Sequence, residues 1–495
     1  MRFTFSSAAR RLSVALALAA VAALTLTLVA SANVAVTIIA TDPFTNPTSQ
    51  HATIVEPDTY SFGSSIVAAA QWGRFTDGGA SDIGVSVSTN NGSSWTAQAL
   101  PGITVYSTPA GPYARISDPS VAYDAAHNVW MVSGLALDAS LNGVAVTLSR
   151  STNGGATWNS ANNVAVAGAG ENFDKNWTVC DNTPTSRFYG SCYTQFDDFG
   201  HGNLLKIYFS RDGGLTWKAS KTPRVGVIGG QPLTLPNGNV VVPIDNASET
   251  ALGYTVSTNG GVKFGQAFTI TAITSANDPG NIRSGPLPSA EISGDGKIYV
   301  VWEDCRFRSG CTQNDLVYTT STNGTTWSAV QRIPIDTIPS TADYFIPGVA
   351  VDKGTLGTNI HVAVAYYYYP NVACTFATCQ LDVGYISSTN GGTSWSAATQ
   401  LRGPMTMSWL PNTTQGRMVG DYISTSFDAS GLAHPVFAEA YAPPTGDCVT
   451  STPLCDQPLE VTTSGLAAAA GTNVASDPVV FTAQPNPGAA AFHRR

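Results

Sequence analysis

Ser151-Thr-Asn-Gly-Gly-Ala-Thr-Trp158 is the stretch that decides the fold, because close copies of it recur along the chain. In each copy an Asn or Asp bonds its own backbone and tolerates a positive φ, and a Gly supplies the remaining left-handed position. The segment therefore predicts a hairpin turn whose final aromatic side chain packs between neighbouring sheets. The other copies are Ser88-Thr-Asn-Asn-Gly-Ser-Ser-Trp95, Ser210-Arg-Asp-Gly-Gly-Leu-Thr-Trp217, Ser257-Thr-Asn-Gly-Gly-Val-Lys-Phe264, Ser321-Thr-Asn-Gly-Thr-Thr-Trp327 and Ser388-Thr-Asn-Gly-Gly-Thr-Ser-Trp395.

These six segments closely resemble the Asp-box, or BNR, repeat of sialidases and related β-propellers. The resemblance covers residues 53–463 and implies an all-β propeller with four-stranded antiparallel blades, each box joining the third and fourth strands. It also implies that the boxes lie at the periphery, away from any substrate. The repeat is therefore evidence about folding rather than about chemistry.

The number of blades follows from strand-like segments between the boxes. The first and last boxes begin 300 residues apart over five intervals, which is about 60 residues per repeat. A second strand is predicted in seven repeats, so we expect seven blades, with six as the alternative because the family's sialidases have six. We also expect the segment near Thr53 to Val55 to complete the last sheet. The second strands are Ile66–Gln71, Val129–Leu137, Ser191–Phe196, Val240–Ile244, Ile298–Trp302, His361–Tyr368 and His434–Ala440.

The composition agrees with an all-β chain and excludes one class of partner. Charged residues make up 12% of the 495 residues, while 47 Gly and 29 Pro indicate many turns. With 24 basic and 33 acidic side chains, the formal net charge is -9. A nucleic-acid partner is not expected, because binding phosphates requires a basic surface.

The N-terminus predicts a secreted protein. Arg2, Arg10 and Arg11 precede an apolar run from Leu12 to Ala30, and small residues follow up to Ala32. We expect residues 1–32 to be a signal peptide, 33–463 the propeller and 464–495 a loosely ordered tail. The apolar run is long for a signal peptide, so an uncleaved membrane anchor remains the alternative. After cleavage no membrane partner is expected.

The eight cysteines fall into four close pairs, which is typical of local disulfides in an oxidising compartment. None of the pairs has the two-residue spacing of a zinc knuckle, so structural zinc is not expected. The pairs are Cys180 with Cys192, Cys305 with Cys311, Cys374 with Cys379, and Cys448 with Cys455.

Polar side chains collect in the loops that enter each first strand or follow each second strand. In a propeller of this connectivity, those loops surround one mouth of the central channel. The set includes Glu56, Asp58, Arg74, Asp77, Asp82, Arg115, Asp118, Asp174, Lys175, Asp197, Asp198, Gln231, Asp245, Arg283, Glu303, Asp343, Arg417, Asp421 and Tyr422.

The family resemblance implies roles for six of these residues. A sialidase clamps the substrate carboxylate with three arginines and uses a tyrosine nucleophile, a glutamate partner and an aspartate acid/base. Carried over by position, Arg115, Arg283 and Arg417 would bind substrate. Asp118 would be the acid/base, Tyr422 the nucleophile and Glu303 its partner. The leading hypothesis is thus an exo-glycosidase acting on terminal sialic acids or related acidic sugars.

Other functions remain open at this stage. The first alternative is a non-catalytic propeller that binds a glycan or a protein at the channel mouth. Another is a polysaccharide lyase or endo-glucanase, in which paired carboxylates act without an arginine clamp. No cofactor is expected, although Asp197 and Asp198 with His201, or Asp77 with Asp82, offer oxygen ligands for calcium.

Overall fold

The computed structural model describes residues 34–444, 447–448 and 454–473. The predicted signal peptide and residues 474–495 of the predicted tail lie outside the described residues. Within the described ranges the chain is all-β, without an α-helix, as expected. No helix in those ranges is long and apolar enough to span a membrane. Short 3-10 helices occur at Phe199–His201, Ser309–Cys311, Gly357–Asn359 and Met407–Trp409.

Most of the described strands form four-stranded antiparallel sheets that follow one another along the chain, and the first two sheets are joined by one pairing, Ala80 opposite Ile116. The first strand, β1 (Val36–Ala40), belongs to the last sheet. Sheet 1 contains β2 (His51–Phe62), β3 (Ser65–Arg74), β4 (Ala80–Ser88) and β5 (Thr96–Ala99). Sheet 2 contains β6 (Arg115–Asp124), β7 (Val129–Leu137), β8 (Gly143–Ser151) and β9 (Asn162–Val166). Sheet 3 contains β10 (Phe173–Cys180), β11 (Cys192–Asp198), β12 (Leu204–Ser210) and β13 (Lys218–Ala219).

Sheets 4 to 6 repeat this pattern, with the first strand of sheet 4 split in two. Sheet 4 contains β14 (Val227–Gly230), β15 (Leu233–Thr234), β16 (Val240–Asn246), β17 (Ala251–Ser257) and β18 (Phe268–Ala272). Sheet 5 contains β19 (Ser289–Ile292), β20 (Ile298–Asp304), β21 (Asp315–Ser321) and β22 (Gln331–Arg332). Sheet 6 contains β23 (Asp343–Val351), β24 (Val362–Tyr369), β25 (Gln380–Ser388) and β26 (Thr399–Thr406).

The last sheet joins the two ends of the described chain. A ribbon of β27 (Asn412–Thr413) and β28 (Gly416–Arg417) precedes it. Then come β29 (Ser424–Phe427), β30 (Leu432–Ala438), β31 (Leu454–Gln457), β32 (Leu459–Thr462) and β33 (Leu466–Ala467). Sheet 7 has the order β29-β30-β32-β1, while β33 pairs with β30 and β31 runs parallel to β2.

The seven predicted second strands are confirmed as β3, β7, β11, β16, β20, β24 and β30. The prediction for the strand that completes the last sheet is wrong. Thr53 to Val55 lie inside β2, whereas β1 pairs with β32 through Val36 opposite Thr462 and Ile38 opposite Glu460. The N-terminal strand therefore completes a sheet whose other strands come from the C-terminal part of the chain. Residues 464–473 of the predicted tail continue from that sheet through β33.

The apolar core is divided into seven clusters, each between two successive sheets. For example, Val85 of sheet 1 shares a cluster with Val132 of sheet 2. The seventh cluster joins Val436 of sheet 7 to Ala68 of sheet 1. The first strands are in contact in the same order, from β2 to β6 and onward, and β29 is again in contact with β2.

The six predicted turns share one hydrogen-bond pattern. In the turn after β8, Ser151 Oγ donates to Asn153 Oδ1 at 2.9 Å and accepts the N–H of Gly155 at 2.9 Å. The same serine bonds recur in the other five turns. The six aromatic residues join clusters between sheets, as the motif predicts. They are Trp95, Trp158, Trp217, Phe264, Trp327 and Trp395.

All four predicted disulfides are confirmed, and no free cysteine occurs among the described residues. Cys180 and Cys192 face each other on adjacent strands of sheet 3. The other three pairs close loops that follow the second strands of sheets 5, 6 and 7. These short cross-links fix the shapes of the loops at one end of the sheets.

Candidate functional site

The first strands of four sheets each contain a bulge where the backbone takes a positive φ at a residue other than Gly. The residues are Glu56 (φ 55), Asp118 (φ 50), Lys175 (φ 51) and Ile346 (φ 49). Such a conformation costs about 1–3 kcal/mol and is concentrated at functional sites. A bulge also re-aims the side chain it carries. Three of the four residues are charged and come from sheets 1, 2 and 3, and each of them shifts the pKa of another member of the group.

Asp421, just before sheet 7, is the centre of this group. It accepts hydrogen bonds from Arg283 Nε at 2.6 Å, Arg283 Nη2 at 2.5 Å and Lys175 Nζ at 2.5 Å. Burial alone would raise the pKa of Asp421, but the two cations outweigh it and hold the pKa well below its usual range. Asp421 is therefore ionised at any pH at which the protein is expected to function.

The pKa values of the neighbouring carboxyls are shifted in the opposite direction. Burial, followed by the charges of Asp421 and Asp118, raises the pKa of Glu56 to about 7. Burial also raises the pKa of Asp118 to about 6, although Lys175 lowers it in part. Glu56 is held from two sides, because Gln71 Nε2 donates to its Oε2 and the Asp421 N–H donates to its Oε1 at 3.3 Å. The site thus combines one fixed anion with two carboxyls that titrate near neutral pH.

Arg74 adds a third cation to this cluster. It is buried, and its Nη1 donates to Gln71 Oε1 at 3.0 Å and to the Gly79 carbonyl at 3.2 Å. Its Nε has no hydrogen-bond partner. Gln71 consequently links Arg74 to Glu56, which connects the cation to the titrating carboxyl.

Two cavities meet at Asp118 and Lys175, which line both of them. The inner cavity, of about 110 Å³, is lined by the first-strand regions of all seven sheets. The outer cavity, of about 270 Å³, lies among loops of sheets 1, 2 and 3 and includes Arg283. A ligand in the outer cavity would therefore contact Asp118 and Lys175 of this cluster.

Tyr422 lines the inner cavity beside the same carboxyls. Its hydroxyl donates to the Pro119 carbonyl at 3.3 Å, and its ring lies edge-on to Trp177 with centroids 5.3 Å apart. Burial, with the charges of Glu56 and Asp118, raises the pKa of Tyr422 well above its usual value. The phenol is therefore protonated near neutral pH in this state.

Three of the six residues that were given roles by resemblance lie in this cluster, namely Asp118, Tyr422 and Arg283. The other three have separate surroundings. Arg115 is paired with Asp77 and stacks over the ring of Phe75, with the guanidinium carbon 4.0 Å from the centroid.

Arg417 and Glu303 are also engaged elsewhere. Arg417 Nη1 donates to the carbonyls of Leu410 at 2.8 Å and Cys448 at 2.9 Å, so its side chain is bound away from the cluster. Only its backbone N–H and carbonyl pair with the segment that carries Arg283. Glu303 accepts the Ile346 N–H at 3.2 Å, and burial followed by Asp278 raises its pKa well above its usual value. The carboxyls beside Tyr422 are Glu56 and Asp118.

Glu56, Lys175 and Asp421 were placed at the channel mouth by sequence but were given no role. A sequence pattern could have singled out Glu56 and Asp118, because each of them is followed directly by Pro. A residue before proline is kept out of the helical region, so an acid-proline pair inside a strand indicates an irregular backbone. The ion pairs between sheets leave no such local pattern.

The oxygen ligands considered for calcium have different surroundings, and Asp197 Oδ1 is buried without a hydrogen-bond partner. Asp77 pairs with Arg115, and Asp198 pairs with His201. Within the described ranges, the one group of three metal-ligating side chains lying within 4.8 Å comprises Asp124, Cys180 and Cys192. Since both cysteines are in a disulfide, that group offers a single carboxylate.

Comparisons with known proteins give no family. No family model matches the chain. No curated protein matches it either. Among solved structures, a Hadza microbial sialidase is similar with a TM-score of 0.44 and 16% identity, over 64% of this chain and 65% of that one. The chain thus spans slightly less than two thirds of that structure's length.

Two other solved structures are similar over more of their own length. A protein of unknown function from Dyadobacter fermentans has a TM-score of 0.46 and 16% identity, over 72% of this chain and 99% of that one. The intramolecular trans-sialidase from Ruminococcus gnavus has a TM-score of 0.44 and 12% identity, over 66% and 93%. Likeness at this level assigns no function.

Proposed function

We propose that the protein is a secreted, seven-bladed β-propeller that hydrolyses glycosidic bonds at the acidic cluster around Asp118. Support for the propeller comes from the seven apolar clusters, of which one joins the last sheet to the first. Completion of sheet 7 by the N-terminal strand is a further support, since closing a ring protects sheet edges. Four disulfides, together with the leader-like N-terminus, support secretion.

The observation that carries the catalytic proposal is the difference in pKa between neighbouring carboxyls. Asp421 stays ionised, whereas Asp118 and Glu56 have pKa values raised to about 6 and about 7. Glycoside hydrolysis requires one protonated and one ionised carboxyl on either side of the bond that breaks. In this proposal Asp118, which lines both cavities, protonates the leaving oxygen, and Asp421 is the ionised carboxylate, because Glu56, whose pKa is higher than that of Asp118, is still protonated when Asp118 is. Asp421 holds Lys175 and Arg283 in position.

The substrate class rests on the lining of the cavities, while the resemblance of the six turns to the sialidase repeat concerns the fold. Trp177 and Tyr422 lie in the inner cavity with carboxyl and amide side chains, which is the combination that binds the apolar faces and hydroxyl groups of sugars. The narrower proposal is removal of terminal sialic acids. It requires Arg115, Arg283 and Arg417 to exchange their present partners for the substrate carboxylate.

A second candidate is a non-catalytic propeller that binds a glycan or a protein at the same mouth. The separate partners of the three arginines favour it, because none of the three guanidinium groups is available for a shared carboxylate in this state. Both candidates use the same cavities, so the difference between them is turnover.

A panel of fluorogenic glycosides tests the proposal. The purified protein is incubated with uncharged exo-glycosides, uronides and sialosides between pH 4 and pH 8. We expect release of the fluorophore from at least one glycoside, fastest on the acid side of neutrality. Binding of a glycan without turnover of any member of the panel would support the non-catalytic candidate instead.

A further inference from the structure

Phe199 is an apolar side chain in an unusual place. It is 61% exposed, which is among the highest values for a large apolar residue in the described ranges, yet it lines the outer cavity. Exposed aromatic rings at the edge of a cavity are common where a ligand covers them. Packing of the fold therefore does not explain why this ring is exposed at the cavity.

The backbone that carries Phe199 is firmly held. Its N–H donates to the Asn172 carbonyl at 2.7 Å, and its carbonyl accepts the Gly202 N–H at 3.1 Å. Asp198 braces both sides of this turn, since it accepts the Asn172 N–H at 3.0 Å and bonds His201 Nδ1 at 2.7 Å. The exposed ring thus has a fixed base, and a fixed group loses less conformational entropy when a ligand covers it.

The lining of the outer cavity combines two kinds of side chain. The apolar ones include Leu135, Leu137, Leu141 and Phe199. The charged ones are Arg74, Asp77, Asp118, Asp174, Lys175 and Arg283. A ligand that fills the cavity must therefore offer both apolar surface and hydrogen-bonding groups.

We propose that Phe199 and Leu141 form a subsite for a second sugar ring, adjacent to the ring that meets Asp118. A pyranose has a face of C–H groups and an edge of hydroxyl groups, which suits a cavity lined by both apolar and charged side chains. This inference rests on the glycosidase proposal. If that proposal holds, the substrate is an oligosaccharide or a glycan chain rather than one sugar on a simple leaving group.

Binding to an inactive form tests the subsite directly. Asp118→Asn serves as the background, and calorimetry compares cellotriose, β-1,3-galactotriose, maltotriose and 3′-sialyllactose with their non-reducing-end monosaccharides. We expect at least one trisaccharide to bind more tightly than its monosaccharide. Adding Phe199→Ala should weaken that trisaccharide about tenfold and leave the monosaccharide unchanged.

Two further variants separate stacking from general damage. Phe199→Trp should restore trisaccharide binding, because it replaces one aromatic face with another. Leu215→Ala should have no effect, since Leu215 is similarly exposed, at 58%, but lies in the turn after β12 and away from the cavity.

The outcomes distinguish this proposal from the glycosidase proposal. If Phe199→Ala weakens a trisaccharide while the wild-type protein turns over no glycoside, the subsite stands and the catalytic proposal fails. If glycosides are hydrolysed but Phe199→Ala leaves all four trisaccharides unaffected, the subsite is overturned. Failure of all four trisaccharides to bind also overturns it.

Discussion

Arg283 donates two hydrogen bonds to Asp421, from Nε at 2.6 Å and from Nη2 at 2.5 Å. The pair joins the segment before sheet 5 to the segment before sheet 7, and Lys175 adds a bond from sheet 3. One ionised carboxylate therefore fixes groups from three sheets at the place where the two cavities meet. The fixed negative charge is also one of the causes that raise the pKa values of Glu56 and Asp118.

The first prediction concerns the stability that this pair contributes. Asp421→Asn leaves Lys175 and Arg283, whose side chains are 12% and 20% exposed, without their anion, so we expect a loss of about 3 kcal/mol in the free energy of unfolding. Arg115→Ala is the matched control, because its partner Asp77 is half exposed and such pairs contribute about 1 kcal/mol or less. Urea denaturation measures both variants. Equal losses in the two variants would contradict the central position given to Asp421.

The second prediction is the pH dependence of turnover. An acid catalyst must be protonated, and Asp118 loses its proton as the pH rises through about 6. We therefore expect kcat/KM to fall as the pH rises from 6 to 8, measured with the best glycoside of the panel. A constant kcat/KM between pH 5 and pH 8 would exclude Asp118 as the general acid.

The third prediction is the pH dependence of stability. The pKa of Glu56 is about 7 when folded, against an ordinary value near 4.5. The folded state thus binds this proton more tightly, so the contribution of Glu56 to the free energy of unfolding decreases as the pH rises from about 4.5 to 7. Glu56→Gln keeps the shape and removes the titration, so the decline with pH should become shallower in urea denaturation. An unchanged slope would show that Glu56 does not titrate in this interval.

The fourth prediction concerns the repeated turns. Trp395 is 1% exposed and packs in the cluster between sheets 5 and 6. Replacement by Ala should cost about 3–5 kcal/mol of the free energy of unfolding. Trp95 is less buried, so Trp95→Ala should cost less. Losses of about 0.5 kcal/mol or less for both variants in urea denaturation would indicate that the turns do not stabilise the sheets through these aromatic contacts.

Local features of this molecule were predictable from sequence, and long-range pairings were not. The turns and the second strands follow from neighbouring residues, as in Ser151 with Asn153. The strand that completes sheet 7 depends on a pairing of Val36 with Thr462 across the whole chain, which the alternation of a short segment does not specify. The ion-pair partners of residues at the channel mouth are equally hard to predict. Arg115 and Arg283 were both predicted to lie at this mouth, but Arg115 pairs with Asp77 and Arg283 pairs with Asp421.

The most direct test of the account is the rate at which Asp118→Asn hydrolyses the best glycoside of the panel. Asp212→Asn is the matched control, because Asn occupies the equivalent position in the other five turns. We expect kcat to fall about 100-fold or more in Asp118→Asn, as for loss of a general acid, and to stay at the wild-type value in Asp212→Asn. A wild-type rate in Asp118→Asn would contradict the assignment of the acidic cluster as the active site.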